Sequence, residues 1–154
     1  MDTTPRPLVA VPDCLDQVLP YAQVRAAVEA AGGRLELFRC QTRAELLTRC
    51  REAVALIVHW FPIDRQLLQA LPRLQLLVRY GVGCDMIDVE AATELGIIVC
   101  NTPLYCVDEV ADHTLALLLA LARKIKPLSA NAEAGRWDQT RAGSLDRRSL
   151  HRLR

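Results

Sequence analysis

Arg79, Gly81 and Gly83 share the stretch RYGVGCD, which follows directly on the apolar run LQLLV. At the carboxyl end of a parallel strand, the backbone N–H groups of Gly81-Val82-Gly83 can grip a small anion, and a carboxylate suits such a turn in charge and size. Arg79, two residues ahead of the first glycine, can add a charged fork to the same anion. His59, in VHWFP, can donate a hydrogen bond or carry a proton there if its strand lies beside that of Arg79. The plainer reading is a tight turn that needs two small residues, with His59 a surface histidine. From the residues alone that plainer reading is favoured.

Gly-x-Gly also begins a dinucleotide fingerprint. The full pattern needs a third glycine for close helix–sheet packing and an acidic residue at the end of the next strand for a ribose hydroxyl. Met86 stands at the third position, and Cys100-Asn101-Thr102 stands where the acid should be. The loop also follows the fourth apolar run, whereas the usual site follows the first. It does not read as a cofactor loop. No residue is assigned as catalytic. A zinc reading of Cys100, Cys106 and His113 fails on intervals of six and seven, which match no usual ligand spacing. The six cysteines contain no Cys-x-x-Cys pair and lie in or beside apolar segments, so free, buried thiols are expected.

The elements that must position these residues follow from periodicity. Apolar runs at 7–12, 34–38, 54–58, 74–78 and 97–100 read as strands. Between them lie amphipathic stretches at 21–33, 42–53, 63–71 and 88–96. Thr42 with Glu45 makes a capping-box pattern, Asp88 can cap the fourth helix, and Gly32-Gly33 and Gly96 are stop signals. Strand and helix in alternation imply right-handed crossovers and a parallel sheet. The fold class is α/β, with a flavodoxin-like parallel sheet of about five strands and flanking helices, followed by a long crossover helix.

That last helix is expected over 107–126, with Asp108 and Glu109 at its start and Arg123, Lys124 and Lys126 at its end, before Pro127. Its middle is apolar nearly all round, so another domain or a second subunit must cover it. Beyond Trp137 the chain turns polar and Arg-rich and reads as a solvated linker. The expected organisation is a binding domain over 1–104, a crossover helix over 105–126 and a linker over 127–154. A net charge of +1 gives no global argument for nucleic acid or an anionic membrane. The start, MDTTPRPLVAV, lacks the basic and long apolar regions of a secretion signal. The most apolar run, Thr114 to Ala122, falls well short of the roughly 18 residues of a membrane span. A soluble, cytoplasmic protein is expected.

One segment is more specific than periodicity. LLVRYGVGCDMIDVEAATELGIIVCNTPLYCVDEVADHTLALLLALAR, residues 76–123, resembles the amino-terminal domain of the D-isomer-specific 2-hydroxyacid dehydrogenases. Within that family it is most similar to the branch that includes the carboxy-terminal binding protein corepressors. The resemblance implies two Rossmann-like domains with the active site between them, and this chain would be the substrate-binding one. It implies that Val82 and Gly83 offer N–H groups to the carboxylate of a small 2-hydroxy or 2-oxo acid. Arg79 and His59 would line the same pocket, and Gly81 would belong to the same substrate-binding loop. Val82 and Val110 would touch the cofactor, NAD or NADP, although for Val110 a packing role is the better account. The family's catalytic Arg, Glu and His and its true glycine fingerprint lie beyond the part matched here. A truncated dehydrogenase is therefore expected, one that binds no cofactor well and is inactive alone. A homodimer through the 107–126 helix is implied as well. The other reading is a non-catalytic, dimerising interaction or regulatory domain.

Overall fold

The structure, a computed structural model, describes residues 5–15 and 20–136. Two compact units divide the chain, one over Met1–Tyr105 and one over Cys106–Arg154.

The first unit carries a five-stranded sheet. Its strands are β1 (Leu8–Val11), β2 (Arg34–Leu37), β3 (Ala53–Val58), β4 (Leu76–Arg79) and β5 (Ile98–Cys100). They stand in the order β2-β1-β3-β4-β5, and every pairing is parallel. The flavodoxin-like expectation therefore holds in strand number, direction and order. Four helices connect them: α1 (Ala22–Ala30), α2 (Arg43–Cys50), α3 (Arg65–Gln69) and α4 (Val89–Glu94).

Alternation along the strands splits the core in two. Leu8, Ala10, Leu56, Val58 and Leu77 join the larger cluster, to which α2, α3 and α4 contribute Leu46, Cys50, Leu67, Leu68, Ala91 and Ala92. Val9, Val11, Ile57 and Val78 point to the other face, where α1 supplies Val24 and Val28. β3, central and buried at five of its six positions, is the continuous apolar run expected of a strand covered on both faces. Burial pushes the Cys50 thiol up to about 12 and raises Cys40 as well, so both are inert packing groups. All six cysteines are free.

Local signals start and stop the helices where the sequence places them. Thr42 Oγ1 accepts from Glu45 N–H at 3.2 Å, while the Glu45 carboxylate accepts from Gln41 N–H at 2.7 Å. Asp64 and Asp88 cap α3 and α4 by accepting from the N–H groups of Leu67 and Ala91, at 2.9 and 2.8 Å. Gly96, at φ 72°, turns the chain from α4 into β5 in a conformation that a side chain would strain.

The second unit departs from expectation. In place of one helix over 107–126 there are two, α5 (Val107–Ala122) and α6 (Ile125–Glu133). The break falls at Lys124, whose φ of 54° is left-handed, three residues before Pro127. Pro127 lies in the first turn of α6, where its missing N–H is one that the helix would leave unpaired anyway. The stretch expected to be linker from 127 is thus helical to Glu133. The Arg-rich tail past Trp137 lies outside the described residues. No residue of α5 is buried, and Leu115, Leu117, Leu118, Leu119 and Leu121 are all more than 40% exposed. Among the described residues, no helix is long and apolar enough to cross a membrane.

Candidate functional site

A cavity of about 380 Å³ opens at the carboxyl edge of the sheet, within the first unit. That edge is where parallel α/β sheets bind ligands, because strand ends and following loops converge there. The pairing of β3 with β4 sets Val58 opposite Arg79, so His59 and Tyr80 leave the sheet side by side. His59, Arg79, Gly81 and Val82 all line the cavity. Gly83, the next residue, is exposed.

His59 is not the surface histidine of the plainer reading. It is 2% exposed, with the Tyr80 ring edge-on at 5.0 Å and the Trp60 ring at 5.8 Å. Burial lowers its pKa, and the Arg79 charge lowers it further, while the Asp13 carboxylate works in the opposite sense. The imidazole is neutral near pH 7. Its Nε2 lies 2.8 Å from the hydroxyl of Tyr21, which also accepts from Leu15 N–H at 3.1 Å. Burial raises the pKa of Tyr21 and keeps it a phenol. With the Tyr21 hydroxyl as donor to Nε2, the neutral imidazole carries its proton on Nδ1; with Nε2 as donor, Nδ1 is the acceptor. Any hydrogen bond between this ring and a ligand then falls at Nδ1.

Asp13 holds the loop that presents these rings. Its carboxylate accepts from three successive backbone N–H groups, those of His59 (3.0 Å), Trp60 (2.6 Å) and Phe61 (2.8 Å). These donors follow the end of β3, where the sheet no longer pairs them, and one ionised side chain takes up all three.

The glycine loop has a different rationale from the one expected. Neither Gly81 nor Gly83 adopts the left-handed backbone that would demand glycine. Gly81 is small because the guanidinium of Arg79 folds over it: a Cβ there would stand 2.9 Å from Cζ and closer still to Nη1. Gly83 leaves room for the carboxylate of Asp85, 3.1 Å from where its Cβ would be. Thr102 N–H donates to Gly81 O at 3.0 Å, and Asn101 Nδ2 donates to Val82 O at 2.8 Å. The carbonyls of the loop are thereby turned toward the segment after β5. Among the described residues, the N–H groups of Val82 and Gly83 donate to no protein acceptor. Nor does Nε of Arg79, which is buried without a partner.

A dinucleotide does not fit this loop. Met86, partly buried against the core, holds the place of the third glycine that close helix–sheet packing requires, and the Arg79 guanidinium rests over Gly81. Val110, the other position implied to touch a cofactor, belongs to the second unit, in the first turns of α5, and is 57% exposed. No group of three His, Cys, Asp or Glu among the described residues could hold a metal ion. Sequence reasoning missed Asp13, Leu15, Tyr21, Tyr80 and Tyr105. Of these, Asp13 alone carried a signal, since a carboxylate just past β1 must emerge at the same edge as the glycine loop.

The class defined by this fold and edge is a parallel α/β domain with a cavity beside the glycine loop after its fourth strand. The chain belongs to the D-isomer specific 2-hydroxyacid dehydrogenase family: its catalytic-domain model matches residues 15–150. The chain is 41% identical over 102 residues to a glyoxylate reductase of Thermococcus litoralis, covering 66% of this chain and 31% of that protein. It is 40% identical over 115 residues to a D-3-phosphoglycerate dehydrogenase of Methanocaldococcus jannaschii, covering 74% of this chain and 22% of that one. Among solved structures it resembles an acyclic imino acid reductase in complex with NADPH and D-Arg. That match has a TM-score of 0.73 and 26% identity, and covers 85% of this chain and 42% of that one. The chain thus spans less than a third of these two curated relatives.

Proposed function

We propose that this chain is the acid-binding part of an NAD- or NADP-dependent D-2-hydroxyacid dehydrogenase. The observation that carries the reading is the Arg79 guanidinium, folded over Gly81 at the cavity with Nε unpartnered, next to the unengaged N–H groups of Val82 and Gly83. Together they offer a cation and two adjacent backbone donors, which fits a carboxylate. With the Tyr21 hydroxyl as donor to Nε2, His59 Nδ1–H serves the oxygen on C2 of a 2-oxo or 2-hydroxy acid. The nicotinamide would supply hydride chemistry. In the first unit Val82 is the residue proposed to lie toward it, and the 154 residues alone are expected to hold it poorly and to give no turnover.

Titration of the isotope-labelled chain with a 2-oxo acid tests the reading. The amide signals of Val82 and Gly83 should move together, and Arg79→Gln should weaken the effect at least about tenfold, the lower range for a charged hydrogen bond. A parallel assay with NADH and glyoxylate should show no oxidation; clear turnover by the pure chain would sink the expectation of inactivity. A homodimer through α5 belongs to the same proposal. A second reading, a non-catalytic dimerising module, draws on the apolar exposure of α5. It would gain if the chain dimerised cleanly and no acid moved Val82 or Gly83.

A further inference from the structure

We propose that the cavity selects acids with one negative charge and an aromatic or bulky apolar body, and discriminates against phosphorylated acids. The inference rests on the carboxylate-binding reading and narrows its substrate class.

Charge is the first argument. Arg79 is the single cation among the described residues that line the cavity. A carboxylate held at Val82 and Gly83 takes up that charge. His59 offers no second one, because burial keeps the imidazole neutral. The other fixed charges at this edge are negative: Asp85, whose carboxylate lies against Gly83, and Asp13, bound to the N–H groups of His59, Trp60 and Phe61. A phosphate on the far end of the ligand would meet no cation among the described lining residues and would carry its charge against these carboxylates.

Shape and surface are the second argument. Leu15, His59, Trp60, Tyr80 and Tyr105 make the remaining wall largely apolar and aromatic. Trp60 and Tyr105 are 60% and 67% exposed, large flat faces that the unit itself does not bury. His59 and Tyr80 already meet edge-on, which leaves an aromatic lining suited to an offset or edge-to-face ring. A cavity of about 380 Å³ lies within the range that encloses a ligand of ring size, and a two-carbon acid would leave most of it to water.

The test compares three acids on the labelled 154-residue chain: phenylpyruvate, glyoxylate and 3-phosphoglycerate. Binding is followed at the amides of Val82 and Gly83 and at the indole of Trp60. Phenylpyruvate should bind about tenfold or more tightly than either other acid, a difference of about 1.4 kcal/mol. Trp60→Ala should weaken phenylpyruvate more than glyoxylate. If 3-phosphoglycerate or glyoxylate binds at those amides as tightly as phenylpyruvate, the selectivity is overturned while the carboxylate site stands. If no acid moves Val82 or Gly83, the carboxylate reading falls and the selectivity with it.

Discussion

The hydroxyl of Tyr21 lies 2.8 Å from Nε2 of His59, across 38 residues of sequence, in a buried polar contact behind the cavity. Removing that hydroxyl leaves Nε2 and Leu15 N–H without their partner. Tyr21→Phe should therefore destabilise the domain by about 1–3 kcal/mol, the cost of unsatisfied buried groups. Urea unfolding followed by tryptophan fluorescence measures it. A change below about 0.5 kcal/mol would show that water replaces the hydroxyl without loss.

His59 also sets a pH dependence. Its folded pKa is lowered, first by burial and then by Arg79, with Asp13 opposing. The charged and titratable groups around the ring are Asp13, Arg79, Tyr21 and Tyr80, and burial keeps Tyr21 a phenol. The unfolded chain takes up a proton near the ordinary histidine pKa of about 6.5, while the folded protein does not until lower pH. Stability from this group is thus fully present above about pH 6.5 and is lost as pH falls toward the folded value. The slope of unfolding free energy between pH 7 and 5 should flatten in His59→Gln. An unchanged slope would assign the acid sensitivity to other groups.

Gly81→Ala separates binding from folding. The added methyl meets the end of the flexible Arg79 side chain, so the guanidinium can swing away at small cost to the fold. The melting temperature should change little. Affinity for a 2-oxo acid should fall about 10- to 100-fold, the worth of a lost charged hydrogen bond, and approach that of Arg79→Gln. Should Gly81→Ala bind acids normally, Arg79 does not act from its position over the loop.

How far the sequence disclosed this site depends on which residue is asked about. Strand runs, the caps at Thr42 and Asp88, and the loop after β4 were legible because each is a local signal read over a few residues. His59 beside Arg79 was legible once β3 and β4 were taken as neighbours. The need for a small residue at Gly81 was legible, but its reason was not, since a folded-back side chain is a tertiary fact. Tyr21 and Asp13 lie far in sequence from the His59 that they contact, and only the parallel sheet brings these segments to one edge. The break at Lys124 was hidden for another reason: a left-handed lysine leaves no compositional mark, and Pro127 drew attention to itself three residues late.

Asp13 offers a prediction with two readouts. Asp13→Ala strands three backbone donors at the β3 loop, partly open to water, and should cost about 2–4 kcal/mol. Asp13→Asn keeps the shape but removes the charge that raises the His59 pKa. It should therefore cost less stability than alanine and move the imidazole titration to lower pH, read from its ring signals by NMR. If the titration stays put or rises in the folded variant, Asp13 exerts no field on the ring and is a backbone cap alone.

The exposed leucines of α5 make the last prediction. Leu117 and Leu121 are one turn apart on the same face, 53% and 77% exposed. Exposed apolar area of this kind on a helix calls for a partner surface, and a second copy is the partner in the proposal above. Light scattering on the chain should give the mass of a dimer. Leu117→Glu with Leu121→Glu should shift it to monomer, with helical content by circular dichroism unchanged, because glutamate is a good helix former. A wild-type chain that stays monomeric at high concentration without aggregating would rule out the homodimer. Loss of helicity in the double variant would show instead that these leucines hold α5 together from within its own unit.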